Sequence, residues 1–233
     1  MTLPPTQPCT LDRGIISTAY LEAVDAILKM TRALTPADWM HSTPCDAWNL
    51  FDLVGHLACT AIDAHRTMAK AVRFHPVPVL EEDDLARQNA VDLSGLRITS
   101  SFGRVRLFEM LSRSYLSRAL IEWNRSLYSY GEAIWSVGSG IGVYAVEWHV
   151  HAWDVASALG RPYRPCELDV LGVAFAEGMP YLHLPPERHD LWEAILVATG
   201  RRSPPRTAVP TSPQVPTARG SDQAAVLLPH RDR

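Results

Sequence analysis

The sequence contains no long apolar run. Nothing approaches the roughly 18 residues that a membrane span needs, so no membrane partner is expected. A basic excess is also missing: 22 Lys and Arg stand against 25 Asp and Glu, a formal net charge of −3. That balance argues against a nucleic-acid surface. Cysteine is scarce: Cys9, Cys45, Cys59 and Cys166 lie far apart and form no CxxC. A disulfide framework is therefore not expected, and the thiols are expected to be reduced. Residues 1–10 lack a basic segment followed by an apolar one, so no secretory signal is expected and the location is expected to be cytoplasmic. No internal repeat is visible.

What the chain does have is helical periodicity. Residues 1–10 hold three prolines and read as an irregular arm. From Leu11 to Leu34, Ile16, Ala19, Ala23, Ile27, Met30 and Leu34 recur by threes and fours, which places them on one face. A second helix is predicted from Asn49 as its cap to about Arg73, carried by Leu50, Leu53, Leu57, Ala61, Ala64 and Met68. Residues 74–103 show no sustained period and read as a long connection with little regular structure, of the kind that often borders a site. A third helix is predicted over about 104–137, broken by Gly138-Ser139-Gly140. A fourth runs from about Ile141 to Leu159 and stops at Gly160. Shorter helices are predicted near 167–181 and 187–199. From Arg201 onward there is no aromatic residue, and six of the 18 prolines fall there. Residues 201–233 are thus predicted to be a disordered tail behind a domain of residues 11–200. Four long amphipathic segments with no competing strand pattern predict an all-α four-helix bundle with a long crossover.

The segment Glu147-Trp148-His149-Val150-His151-Ala152-Trp153-Asp154 carries the chemistry. Helical residues four apart differ by only about 40° in direction, so Glu147 and His151 project together. Asp154 follows on the same stripe. His149 points nearly the opposite way. A carboxylate and an imidazole on one apolar stripe suit a divalent metal such as Zn, Ni or Fe. They equally suit a solvated helix pair. His56, beside the apolar stripe of the second helix, is the candidate third ligand, and it also suits a hydrogen-bonded core histidine. Asp154 suits two roles, orienting His151 or bonding near the helix end. Tyr115, Trp123, Tyr128, Tyr130 and Trp135 suit either a core or an apolar pocket.

Thr43-Pro44-Cys45-Asp46-Ala47-Trp48, followed by Asp52-Leu53-Val54-Gly55-His56-Leu57, resembles the signature of the mycothiol-dependent maleylpyruvate isomerase N-terminal family. That family belongs to the DinB-like metal-binding helix bundles. Glu147-x-x-x-His151-Ala152-Trp153-Asp154 with Leu159-Gly160-Arg161-Pro162 is similar to its second signature. Leu196 to Arg201 resembles the ending of one branch. The likeness spans about residues 12–201. It implies a DinB-like four-helix bundle that holds its metal through His56, Glu147 and His151, with an open position for water or a thiolate. Asp46-Ala47 stand where the family usually has Pro-Gly, and Ser157 where it usually has Arg. The C-terminal substrate-binding part matches poorly, so maleylpyruvate itself is not the expected substrate.

The expected function is a metal-dependent enzyme acting on a small molecule through a metal-activated thiolate, with mycothiol as cofactor, in isomerisation or thiol transfer. Asp154 is the expected catalytic helper. One alternative is a thiol-independent metal-dependent hydrolase, cyclase or isomerase. Another is a non-catalytic metal-binding bundle. A homodimer is compatible with the chain.

Overall fold

The computed structural model describes residues 5–45, 48–73, 75–80, 82–179, 182–185 and 190–203. Helix α1 spans Arg13–Thr31 and is capped by Asp12, whose carboxylate accepts from the Ile15 N–H at 2.9 Å. After a 3₁₀ turn at Asp38–Met40, α2 spans Leu50–Arg73. Asn49 caps α2 as its sequence predicts, accepting from the Asp52 N–H at 2.9 Å. Helices α4 (Ser101–Ile121) and α5 (Val137–Ala158) complete a four-helix bundle in which α5 packs on α1 and α4 packs on α2. Ile16, Tyr20, Ile27, Leu53, Leu57, Phe108, Tyr115 and Trp148 fill its core with almost no exposure. Helix α5 is apolar around most of its circumference because α6 (Leu168–Gly178) covers it from outside. Helix α7 (Leu191–Ala198) packs on α6.

The structure departs from the sequence-based expectation in three places. The connection after α2 is not irregular: it contains β1 (Val77–Pro78) and α3 (Glu82–Gly95). The predicted third helix stops at Ile121, and its remainder folds as a hairpin of β2 (Ser126–Tyr130) and β3 (Ala133–Ser136). β1 joins β2 in parallel, and β2 pairs antiparallel with β3. The aromatic and β-branched Tyr128, Tyr130, Ile134 and Trp135 favour strand over helix, and Gly131 supplies the turn at φ 56°. Finally, Gly138-Ser139-Gly140 opens α5 instead of breaking a helix. Ser136 caps it through the Ser139 N–H, and Gly138 lies where a Cβ would sit 2.5 Å from the Trp123 ring. Gly160 closes α5 at φ 63° as predicted.

The N-terminal arm is irregular but attached: Thr6 bridges Ile134, and the Gln7 N–H donates to the Ile134 carbonyl at 2.8 Å. Residues 201–203 belong with the packed chain, while 204–233 lie outside the described residues, as do Asp46 and Ala47. Among the described residues, no helix is long and apolar enough to cross a membrane. All four cysteines are free.

Candidate metal centre

Two helices build the centre. His56 sits two turns into α2, where Arg104 clamps the helix start. The Arg104 guanidinium donates to the Phe51 and Ile98 carbonyls at 2.7 and 3.1 Å and lies over the Phe51 ring. Glu147 and His151 lie one turn apart on α5, which packs against α2. Nε2 of His151 is 3.0 Å from Oε1 of Glu147, and Nε2 of His56 is 3.5 Å from the same oxygen. The ligating atoms of His56, Glu147 and His151 all lie within 4.8 Å of one another. The three residues picked from the sequence are thus brought together.

Both histidines are buried, whereas Glu147 keeps 29% of its side-chain surface. His56 and Glu147 open onto a cavity of about 440 Å³, and His151 sits a layer deeper. His56 is held loosely by hydrogen bonds. Its Nδ1 has no partner among the described residues, and its Nε2 reaches Thr60 only at 3.4 Å. The Trp48 ring lies 4.6 Å from it, centroid to centroid, and fixes its plane instead. His151 is held tightly, since its Nδ1 donates to Oδ2 of Asp154 at 2.8 Å. A carboxylate only accepts, so that bond puts a proton on Nδ1 and leaves Nε2 facing Glu147, to which it donates while no ion takes that proton's place.

The donor set fits a divalent ion. Two imidazoles and one carboxylate converge, one imidazole oriented by a carboxylate and the other short of strong partners. Without an ion, charge collects on the same groups. Burial alone would raise the Glu147 carboxyl, but the His151 charge and the two histidine hydrogen bonds outweigh it and hold it well below its usual range. Burial would lower His151, but Glu147 and Asp154 outweigh it and hold the imidazole protonated well above its usual range. Burial pushes His56 down. An ion would displace the His151 proton.

Asp154 is fully buried, does not line the cavity and touches His151. Its contact with His151 is the one that an orienting role requires. The Cys45 thiol donates to Oδ2 of Asp154 at 3.1 Å, and Arg201 Nη2 reaches the same oxygen at 3.1 Å. Cys45, His151 and Asp154 form a second cluster of ligand-type atoms, but the Arg201 guanidinium already supplies its positive charge.

Sequence inspection missed Trp48, Thr60, Cys45 and Arg201 as members of this region. The Thr-Pro-Cys-x-x-Trp motif was the available signal for two of them. The cavity roof comes from the connection after α2, with Val77 to Leu80 and α3 residues Gln88, Asn89 and Asp92. The expectation that this connection borders a site holds, although its structure was not foreseen. Tyr128 and Tyr144 line the wall, with hydroxyls 2.7 Å apart. Tyr115 and Trp123 are buried in the core.

Comparison with known proteins adds family to geometry. A crystal structure of the mycothiol-dependent maleylpyruvate isomerase superposes with a TM-score of 0.53 at 16% identity, covering 71% of this chain and 68% of that one. At that identity the likeness establishes the fold, a DinB-like helix bundle. No curated protein matches the chain. The family model of the mycothiol maleylpyruvate isomerase N-terminal domain matches residues 20–156, which include His56, Glu147, His151 and Asp154. The chain belongs to the mycothiol maleylpyruvate isomerase N-terminal domain family.

Proposed function

We propose that this protein is a metal-dependent enzyme that turns over a small electrophilic molecule with a thiol cosubstrate, mycothiol, as an isomerase or thiol transferase. The observation that carries this is the convergence of His56, Glu147 and His151 within 4.8 Å, two of them on the floor of the cavity. Those three residues would hold a divalent ion, zinc by preference, with nickel or iron compatible with the same donors. When bound, such an ion lowers the pKa of a thiol or water and makes a nucleophile at neutral pH.

The chain's own residues do the rest. Asp154 keeps the His151 proton on Nδ1, and Trp48 keeps the His56 ring in plane. Val77, Val79 and Leu80 give the cavity an apolar side, with Leu80 still 46% exposed. The Tyr128 and Tyr144 hydroxyls offer hydrogen bonds to a substrate oxygen, and burial keeps the Tyr144 phenol neutral. Arg66 and Lys70, farther along α2, line the cavity beside the carboxylates of Asp63 and Asp92, so it offers a substrate groups of both signs. Cys45 and Asp154 are engaged with Arg201, which counts against either one closing the coordination sphere.

Cobalt-loaded protein titrated with mycothiol provides the test. A thiolate-to-cobalt charge-transfer band that saturates, together with thiol-dependent consumption of an electrophilic unsaturated acid, is the expected result. Absence of that band, with substrate oxygen still perturbing the cobalt spectrum, would replace the proposal with the thiol-independent hydrolase or cyclase. A spectrum unmoved by either would leave a non-catalytic metal site.

A further inference from the structure

Arg201 lies past the end of the last helix, at the point where the sequence turns proline-rich, yet its side chain is 80% covered. Two features aim it. Helix α7 ends in a Schellman motif: Gly200 at φ 75° bonds back to the Val197 carbonyl at 3.0 Å, and the Arg201 N–H bonds to the Leu196 carbonyl at 2.7 Å. The guanidinium is then pinned by the Thr199 carbonyl, which accepts from Nη1 at 2.7 Å. That leaves Nε and Nη2 pointing at Asp154, with Nη2 3.1 Å and Nε 3.4 Å from its oxygens. Nη2 also lies 3.4 Å from the Cys45 sulfur.

Asp154 has no exposed surface, so its direction is set only by what it bonds. Three donors converge on Oδ2: the His151 ring at 2.8 Å, the Cys45 thiol and Arg201. Arg201 is the only cation among them that does not come from the ligand set. A fork of two N–H groups fixes both the place and the tilt of a carboxylate, which a single donor does not.

We propose that Arg201 is a positioning residue for the metal centre, holding Asp154 so that Asp154 holds His151 with Nε2 facing the ion. This rests on the metal site proposed above. It makes the end of α7 a part of that site, although Arg201 touches neither cavity nor ligand.

The test is a double-mutant cycle on metal affinity in the full-length chain. Cobalt and zinc affinities are measured by competition with a chromogenic chelator for wild type, Arg201→Ala, Asp154→Asn and the double variant. Losing a direct partner of a ligating histidine costs about 10- to 100-fold in affinity. Arg201→Ala is expected to weaken binding about tenfold, near the low end of that range, because it acts through Asp154. The double variant is expected to bind no more weakly than Asp154→Asn, because the two residues act in one chain. Added guanidinium ion at low millimolar concentration is expected to restore part of the Arg201→Ala loss and to leave Asp154→Asn unchanged. Arg201→Lys, which keeps the stem and charge but not the fork, is expected to fall between wild type and Arg201→Ala, and it serves if the alanine variant does not fold.

Losses that add in the double variant, or unchanged affinity in Arg201→Ala and Arg201→Lys, would overturn the positioning role while leaving the metal site standing. A wild-type protein that binds neither ion would overturn both.

Discussion

His149 and His151 sit two residues apart on α5, and both are buried. Helical geometry sends them to opposite sides of the helix, and their surroundings give them opposite chemistry. His149 hydrogen-bonds neutral groups, Nε2 donating to the Ala19 carbonyl at 2.8 Å and Nδ1 accepting from the Tyr163 hydroxyl at 2.7 Å, while the nearby Glu22 carboxylate favours its charged form. Burial there pushes it down to about 4. His151 lies between two carboxylates, which hold it protonated in the absence of an ion. Burial favours the neutral form of both rings, and only at His151 do adjoining carboxylates overcome it. One ring joins α5 to α1 as a neutral strut. The other is kept ready to exchange a proton for a cation.

The two rings give opposite pH dependences, and this is the largest stability effect expected. His149 is neutral in the folded chain while its unfolded counterpart takes up a proton below about pH 6.5. Its contribution is complete above that pH and is lost as pH falls toward 4, on the order of 3 kcal/mol in all. His151 behaves the other way in chelator-treated protein. The stability from its extra proton is complete below about pH 6.5 and is lost as pH rises through its raised value. With an ion bound, that second slope should vanish and ion affinity should increase with pH. Urea melts across pH 4–8, with and without chelator, check both signs.

Replacing one ring at a time sharpens the contrast. His149→Phe should destabilise the domain by about 2 kcal/mol, because the buried Ala19 carbonyl and the half-buried Tyr163 hydroxyl lose their partner, and should leave metal content unchanged. Tyr163→Phe should cost about 1 kcal/mol and act only on the neutral side. Smallest of all is removal of residues 204–233. That composition offers no aromatic anchor, and the change in stability should stay below about 0.5 kcal/mol. A cut after Thr199 removes Arg201 as well and should weaken metal binding without moving the His149 slope. Thermal melts and chelator competition on the two truncations separate these outcomes.

The histidine contrast was legible in the sequence, because a spacing of two against a spacing of four on a helix sorts His149 from the Glu147–His151 pair without coordinates. The bundle was legible for the same reason, since α1, α2 and α5 each bury a continuous stripe. The hairpin was not. Its aromatic residues follow a helix without a proline, and a short ribbon packed on one side leaves too few residues to show a period of two. Helix α3 was missed because it is mostly exposed. Only Asn89, Asp92 and Leu93 are half-buried among its described side chains, too few to mark a stripe. Arg201 was assigned to the tail because composition changes there, whereas its position depends on a helix-end turn and a buried carboxylate 47 residues away.

Metal content is the most direct measurement. The full-length protein is purified without chelator and assayed by elemental analysis beside His56→Ala, His151→Ala and His149→Phe. About one divalent ion per chain in wild type and in His149→Phe, with none in His56→Ala or His151→Ala, is the predicted result. A wild type with no ion after incubation with zinc, or His56→Ala and His151→Ala variants that keep a full complement, would contradict the assignment of His56, Glu147 and His151 as its ligands.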